Sequence, residues 1–598
     1  MQWLPAEAPP SEAVAALAAA HALSPVAAEI VARRLGHEPP GRFLHPAEAE
    51  LTAPECFPGM AQAVARIRRA LAQGEAITIF GDYDADGITG TVLLVQALTS
   101  VKSASKIRPF FPKREGEGYG LSKEALSRCF NDYPPKPSLL VTVDCGITAV
   151  QEVAWLAEQG VETLITDHHT PPERLPQACA IINPRFLPEG HAAHDLCGCA
   201  TAFTLVRALE RAEVPIQSER YLDLVAVATI ADIMPLTGDN RSLVVRGLRL
   251  LASGQGNLGL FTLHNALRKQ DAPEPLTAEA VAFGIVPCIN AAGRVGSQLL
   301  AQFQQQSSLR CNYDFASKCS PLHRVYALFH ASGDAAKRLA EDLKALNRLR
   351  KTAEADLCAK LAECHPAPGA QVMIAVCPEL YAGVAGIVAA RLMRRAGVPT
   401  VVLCRDGEGP ARGSMRVCGQ WHAVEALRSV EDLLSNYGGH AKAAGFVLRP
   451  GTYEAFCRRL SAAFQGERQV EVAHYEADLS TLASPYLLLH RELAVLEPLG
   501  HGNPKPVFRA TFRLVHAELI GKTREHLALR LQPIPGGNAI KALWFGHAQA
   551  RERLTPGSEL TLFFTLACDT FRAVTQPVLM VEDIAPAEVA PLSHPKES

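Results

Sequence analysis

The sequence predicts a multidomain α/β protein in which a parallel-sheet domain is joined by a long helix to a second α/β domain, followed by a C-terminal β-barrel. Three observations predict it. From about residue 75 to 185, short apolar strands alternate with helical patterns, the rhythm of a parallel sheet with helices on its faces. Residues 335–360 carry helix formers at a 3.6-residue period with no breaker, which reads as one helix joining two domains. Residues 505–583 then show five short strands punctuated by Gly and Pro ("FRATFRLVHAELIG", "HLALRLQP", "IKALWFG", "SELTLFFTLA", "VLMVEDI"), a barrel that is OB-like.

The bulk properties agree with several cores. At 598 residues the chain exceeds the roughly 250–300 residues at which a single core stops growing. Hydrophobic residues make up 48% and charged residues 20%, which excludes a disordered or fibrous chain. The start, "MQWLPAEAPP", has neither a basic region nor an apolar one, and no apolar run reaches 18 residues; the expectation is no signal peptide and no membrane span. Sixteen cysteines occur singly, apart from Cys197 and Cys199 in "LCGCATAF", so a reduced, cytoplasmic protein is expected. Close packing of small residues explains that run better than zinc, because the spacing supplies no further ligands. A net charge of −2 gives no global basic field, so a nucleic acid would have to be held by local patches. Candidates are Arg66–Arg69, Lys113 with Arg114, Leu346–Lys351 and Arg391–Arg395, each of which alone reads as a solvated helix face.

The first strand, Ala76–Phe80, runs into "GDYDADGITG". Asp82, Asp84, Asp86 and Gly87 match the first half of an EF-hand loop, but the position that needs a bidentate glutamate is Leu93. The stretch therefore reads as strand, acidic loop and helix, with carboxylates at the carboxyl end of a strand, where open α/β sheets bind ligands. Further strands follow at Ser138–Asp144, Val161–Asp167 and Ala178–Pro184, and Tyr221–Met234 is apolar almost all round, a buried helix with an acid, Asp232, at its end. A second α/β unit runs from "QVMIAVCPEL" through "PTVVLCRDGEG" to "NYGGHAKAAGFVL". The expected divisions are an N-terminal helical segment at 1–50, a catalytic domain at 51–265, a helical connector with an insert at 266–365, the second α/β domain at 366–467, and the barrel with its tail at 468–598.

Strands of one parallel sheet end on one side, so Asp82, Asp84, Asp86, Asp144, Asp167, His168 and His169 converge, with Asp232 from the later helix. Carboxylates with a minority of imidazoles suit Mn²⁺ or Mg²⁺. Five or six carboxylates in one crevice repel each other unless cations compensate them, and two divalent ions do so while creating a centre for phosphoryl transfer.

The motifs "GDYDADG", "TVDCGI", "TDHH" and "ATIADIMPL" resemble those of the DHH phosphoesterases, and "RGSMR" and "GGHAKAAGF" resemble their associated C-terminal domain. With "PKREGEGYGL", "INAAGR" and "PLGHGNPKPVF" in this order, the chain is similar over roughly residues 50–580 to the bacterial branch that digests single-stranded DNA. That resemblance implies a two-metal exonuclease working from the 5′ end in recombination and repair. It implies metal ligands at Asp82, Asp84, Asp86, Asp144, His168, His169 and Asp232, with Asp84, Asp144, His168, His169 and His440 carrying the chemistry. It further implies a terminal-phosphate grip at Arg114, Arg294, Ser414 and Arg416, with Gly439 and His440 of "GGH" beside the strand. Expected partners are single-stranded DNA, a single-strand-binding protein and a helicase, and the chain is read as a monomer. Other readings of the same motifs are a phosphodiesterase for oligoribonucleotides or cyclic dinucleotides, and a catalytically silent nucleic-acid scaffold.

Two departures stand out: Tyr381 where the family often has histidine, and an insert at 297–333, expected to be a surface excursion. Among the barrel aromatics Phe508, Phe512, Trp544, Phe545 and Phe571, at most two are expected to stack on bases, with Trp544 the first choice.

Overall fold

The computed structural model describes residues 2–36, 38–113, 117, 120–268, 276–296, 299–301, 321–367, 369–378, 381–405, 411–465, 472–480, 486–534, 536–571 and 574–586. The chain forms two compact units: Ala47–Gln469, and a second made of Met1–Pro46 with Val470–Ser598.

In the larger unit, five parallel strands lie in the order Lys106–Phe110, Ala76–Gly81, Leu139–Val143, Glu162–Thr166 and Ala180–Ile182. The inner strands are apolar on both faces because helices cover both, as the continuous run "LLVTV" requires. The helix Ala85–Thr99 follows the first strand, and Asp84 is its N-cap, with Oδ1 accepting the N–H groups of Asp86 (2.9 Å) and Gly87 (3.1 Å). This helix is buried along almost its whole length against Gly198–Arg211 and Leu222–Ala231. The long helix spans Gly333–Lys360, and its apolar positions pass from the core of the catalytic domain to that of the second domain. There, a mixed sheet runs Leu434–His440, Ala443–Leu448, Ala411–Arg416, Thr400–Cys404 and Met373–Cys377.

The insert is not wholly a surface excursion. Its segment Pro321–His330 is a helix with Leu322, Val325, Leu328 and Phe329 in the catalytic core, and a buried Arg324–Asp342 ion pair holds it to the long helix. The apolar spacing in "PLHRVYALFH" has a helical period, and that period is what buries it. Residues 297, 298 and 302–320 lie outside the described residues.

In the smaller unit, strands Phe508–Ile520, His526–Pro533, Ile540–Trp544, Glu559–Phe571 and Val574–Pro586 close into a barrel, since the first pairs with both the second and the fourth. The N-terminal segment, expected as a separate piece, belongs to this unit. Gln2–Pro5 pairs in parallel with Val472–Tyr475, and Leu17, Ala28, Ile30, Val31 and Phe43 share a core with barrel residues such as Phe508 and Phe512. Trp3 stacks on Phe563 with ring centroids 4.6 Å apart, and Arg33 pairs with Glu476 at 2.7 Å. Among the described residues, no single helix is long and apolar enough to cross a membrane.

Candidate metal centre

The chain leaves strand Ala76–Gly81 toward one side of the sheet and returns to its other side at Leu139–Val143, so the order reverses between these neighbours. Ligands bind in the crevice beyond the carboxyl ends at such a reversal. Asp82 follows one strand, Asp144 the other, and Asp167 follows the next, Glu162–Thr166. Asp144 adopts a left-handed backbone (φ 62°), which Asp tolerates better than most residues, while its N–H bonds Thr166 O at 3.0 Å. A Cβ at Gly198 would lie 2.5 Å from the Asp144 Cβ, so glycine is what lets the helix Gly198–Arg211 start under this aspartate.

That helix also fixes Asp86. Its first N–H groups, from Gly198 and Cys199, donate to the two Asp86 carboxylate oxygens at 2.7 Å each. The expected packing role of "CGC" is what the structure shows: Cys197 caps the helix and Cys199 is buried.

His168 Nε2 stands at the centre, 3.1 Å from Asp144 Oδ1, 3.5 Å from Asp232 Oδ2 and 3.9 Å from Asp86 Oδ2. Three overlapping groups have the spacing to hold metal: Asp82, Asp84 and Asp144; Asp144, His168 and His169; and Asp86, His168 and Asp232. Asp144 joins two of them, and so can serve two ions at once. Asp167, in contrast, is spent on orientation. Its carboxylate accepts the N–H groups of Ile147 (2.9 Å) and His168 (2.7 Å) and bonds His169 Nδ1 at 2.8 Å, leaving Nε2 of that ring for a ligand.

The buried acids repel one another. Burial, then the neighbouring Asp86 and Asp84 charges, push Asp232 up to about 8, and the same two causes, with Asp232 added, hold Asp144 well above the usual carboxylate range. Burial and Asp84 raise Asp86 to about 6 even against its two backbone donors. His168 is driven down to about 3 by burial and by His169, so it is a neutral ligand at pH 7. Burial would lower His169 too, but the hydrogen bond and charge of Asp167 prevail and hold it at about 9. Asp232 Oδ2 is buried and accepts no hydrogen bond among the described residues. A buried, orphaned carboxylate oxygen beside a neutral imidazole and further acids fits Mn²⁺ or Mg²⁺.

The second domain reaches this centre with His440, at the end of strand Leu434–His440. Its ring lies parallel to that of His169 (8°, centroids 6.0 Å apart), and burial, then His169 and Arg185, lowers its pKa. Gly439, at φ 144°, is pressed against Ala443 O across the hairpin, which only glycine allows. Ser414 and Arg416 alternate onto one face of strand Ala411–Arg416. A Cβ at Gly386 would lie 2.7 Å from Arg416 Nη2 and 3.5 Å from Ser414 Oγ, so both side chains meet the first turn of helix Ala385–Ala396. A helix N-terminus with a guanidinium and a hydroxyl beside it has the chemistry to receive an anion. Arg294 is brought to its edge, where its carbonyl touches Gly383. The helix that ends at Arg294 also holds the acidic loop, through Asn290 Oδ1 and the Ala85 N–H at 2.8 Å. Arg114 lies outside the described residues.

Tyr381 is committed elsewhere: its hydroxyl bonds Asp356 and accepts from Lys360 Nζ at 2.9 Å, tying its loop to the long helix. The expectation for Trp544 is corrected. It is 7% exposed in the barrel core, stacked on His547 at 4.3 Å, because strand alternation turns it inward; Phe545, next in the chain, is 50% exposed. Phe508 and Phe512 are fully buried, and the Phe571 side chain lies outside the description. Sequence reasoning also missed Asn290, Gly386 and the Gly198 and Cys199 amides. "GVAGI" carried a signal for the second, a small residue opening a helix beside a basic strand.

A parallel sheet with this cluster at its reversal fits the DHH class of phosphoesterases, and the family model for the N-terminal domain of the DHH family matches residues 76–229. The DHHA1 domain matches 369–466 and the RecJ OB domain 481–583. The single-stranded-DNA-specific exonuclease RecJ of Dickeya dadantii is 32% identical over 88% of this chain and 90% of its own length, and the chain belongs to the RecJ family. The RecJ of Thermus thermophilus is 37% identical over 80% of this chain, which spans 65% of that relative's length. The crystal structure of Thermus thermophilus RecJ in complex with Mn²⁺ superimposes with a TM-score of 0.79 at 31% identity, covering 98% of this chain and 80% of that one.

Proposed function

We propose that this protein hydrolyses phosphodiester bonds of single-stranded DNA from the 5′ end, in recombination and repair. The observation that carries the reading is the pairing, within one compact unit, of a carboxylate and imidazole cluster with an anion pocket on the facing domain. Asp82, Asp84, Asp86, Asp144, His168, His169 and Asp232 would hold two Mn²⁺ or Mg²⁺ ions, which would polarise the phosphate and activate a water.

The chain's own residues do the positioning. Arg416, Ser414 and the helix N-terminus seat a terminal phosphate, with Arg294 at its edge, so the first internal bond lies over the cluster. His440, held neutral, offers a hydrogen bond to a non-bridging oxygen. Asp167 fixes the orientation of the His169 ring through Nδ1, and the Gly198 and Cys199 N–H groups keep Asp86 from turning. None of these groups addresses a base edge, so position rather than sequence selects the bond. The protein acts as a cytoplasmic monomer on strands opened by a helicase and held by single-strand-binding protein.

The test is a time course with Mn²⁺ on strands labelled at either end, a closed single-stranded circle, a short RNA and a cyclic dinucleotide. Label released first from the 5′ end, with the circle intact, is expected. Nicking of the circle, release from the 3′ end, or consumption of the cyclic dinucleotide alone would overturn the reading.

A further inference from the structure

The helix Leu222–Ala231 ends at Asp232, and the next two residues close its last turn: Ile233 N–H bonds Ile230 O at 3.3 Å, and Met234 N–H bonds Thr229 O at 3.1 Å. Such a closure needs one left-handed residue, and glycine is the usual choice. Here it is Ile233, at φ 56°. A β-branched side chain is disfavoured there, because its Cβ crowds the following carbonyl.

Burial does not offset this strain. Ile233 is 69% exposed, whereas Met234 beside it packs on the catalytic core. A lone exposed apolar residue is ordinary, but one kept in a backbone conformation that penalises it serves neither folding nor packing. The residue before it is Asp232, whose Oδ2 lies 3.5 Å from His168 Nε2. Strain of this kind, next to a reactive centre, marks a functional contact.

We propose that Ile233 is a substrate-contacting residue: its side chain is the apolar seat for the nucleobase beside the scissile phosphate. This rests on the exonuclease reading above. The contact suits that activity, since an aliphatic side chain covers the face of any base without reading its edges, and a strand of any sequence is then held alike. It also explains the choice over glycine, whose turn would be relaxed but would offer the base nothing.

The experiment compares wild type, Ile233→Gly, Ile233→Asn and Ile233→Val on 5′-phosphorylated single strands, either normal or abasic at the three 5′-terminal positions. Glycine and asparagine both accept the left-handed turn, so their melting temperatures should equal or exceed wild type, and Mn²⁺ affinity should be unchanged. On the normal strand, both should raise KM about tenfold with little change in kcat, the loss of one buried aliphatic contact, while Ile233→Val stays near wild type. On the abasic strand the penalty should shrink to less than about twofold. Wild-type KM in the glycine and asparagine variants, or an equal penalty on both strands, would overturn the proposal. A wild-type protein that leaves both strands intact would instead overturn the exonuclease reading.

Discussion

Asp144 meets two demands at once, a left-handed backbone and a carboxylate shared by two groups of side chains spaced to hold a metal. Asp144→Asn keeps the shape and removes the shared charge. Cleavage at saturating Mn²⁺ should drop below about a tenth of wild type, while single-strand affinity stays within about twofold, as a filter-binding titration would show. The surrounding charges give a second expectation. Asp232 (about 8) and Asp144 bind protons far more tightly folded than unfolded, and so does His169, at about 9. For a raised pKa the stabilisation is complete below the unfolded value and is lost as pH rises through the folded one. His168 works the other way, but only below its unfolded value of 6.5. Between pH 6.5 and 8, therefore, the metal-free protein should lose up to about 1.4 kcal/mol per pH unit for each titrating group. Its melting temperature in EDTA should fall across that window, and saturating Mn²⁺ should flatten the curve. The acids were legible in the sequence because each ends a strand or helix at a fixed offset. Trp544 was misread because ring size says nothing about which face of a strand is inward. Phe545→Ala should weaken single-strand binding by about 1–3 kcal/mol without lowering the melting temperature, and Trp544→Ala should do the reverse, costing about 3–5 kcal/mol of stability; equal effects on affinity would restore the buried ring to the binding surface.

At the scale of elements, helix starts do more of the work than their lengths. The start of Gly198–Arg211 holds Asp86, and that of Ala385–Ala396 faces Arg416 and Ser414. Gly386→Ala tests the second. Alanine is a better helix former than glycine, so folding should not suffer, yet the added methyl would press on the guanidinium. KM for 5′-phosphorylated strands should rise about tenfold, and that for 5′-hydroxyl strands hardly at all; a parallel rise in both would remove the phosphate from this helix. Strands and the long helix were readable because their periods are local. The Pro321–His330 helix was not credited with a core role, since what it packs against, including Gly259 and the Gln96 and Asn257 side-chain amides that donate to Phe329 O, is distant in sequence. The Gly386 pocket was hidden for the same reason: its parts come from a helix and a strand that only the folded sheet brings together.

For the whole molecule, the division is not into consecutive pieces. Cutting at about residue 470 leaves Leu17, Ile30, Val31 and Phe43 without the barrel core they share. A fragment 1–469 should therefore aggregate or be cleaved quickly near its N-terminus, whereas 47–469 should be soluble and retain metal-dependent turnover of short strands at saturating concentration. Limited proteolysis and light scattering separate the two; a well-behaved 1–469 would show that the N-terminal segment does not need the barrel. The same arrangement bears on how the protein is made. A ribosome releases the helices Ser11–His21 and Pro25–Leu35 before the central unit, and the barrel strands they pack on begin only at Phe508, roughly 470 residues after Leu35. At about 5–20 residues per second the wait is some tens of seconds, during which an apolar surface is carried by a chain whose central unit has already folded. These two helices are thus among the last parts to find their place, and a cell short of holding chaperones should lose this protein by cleavage within them.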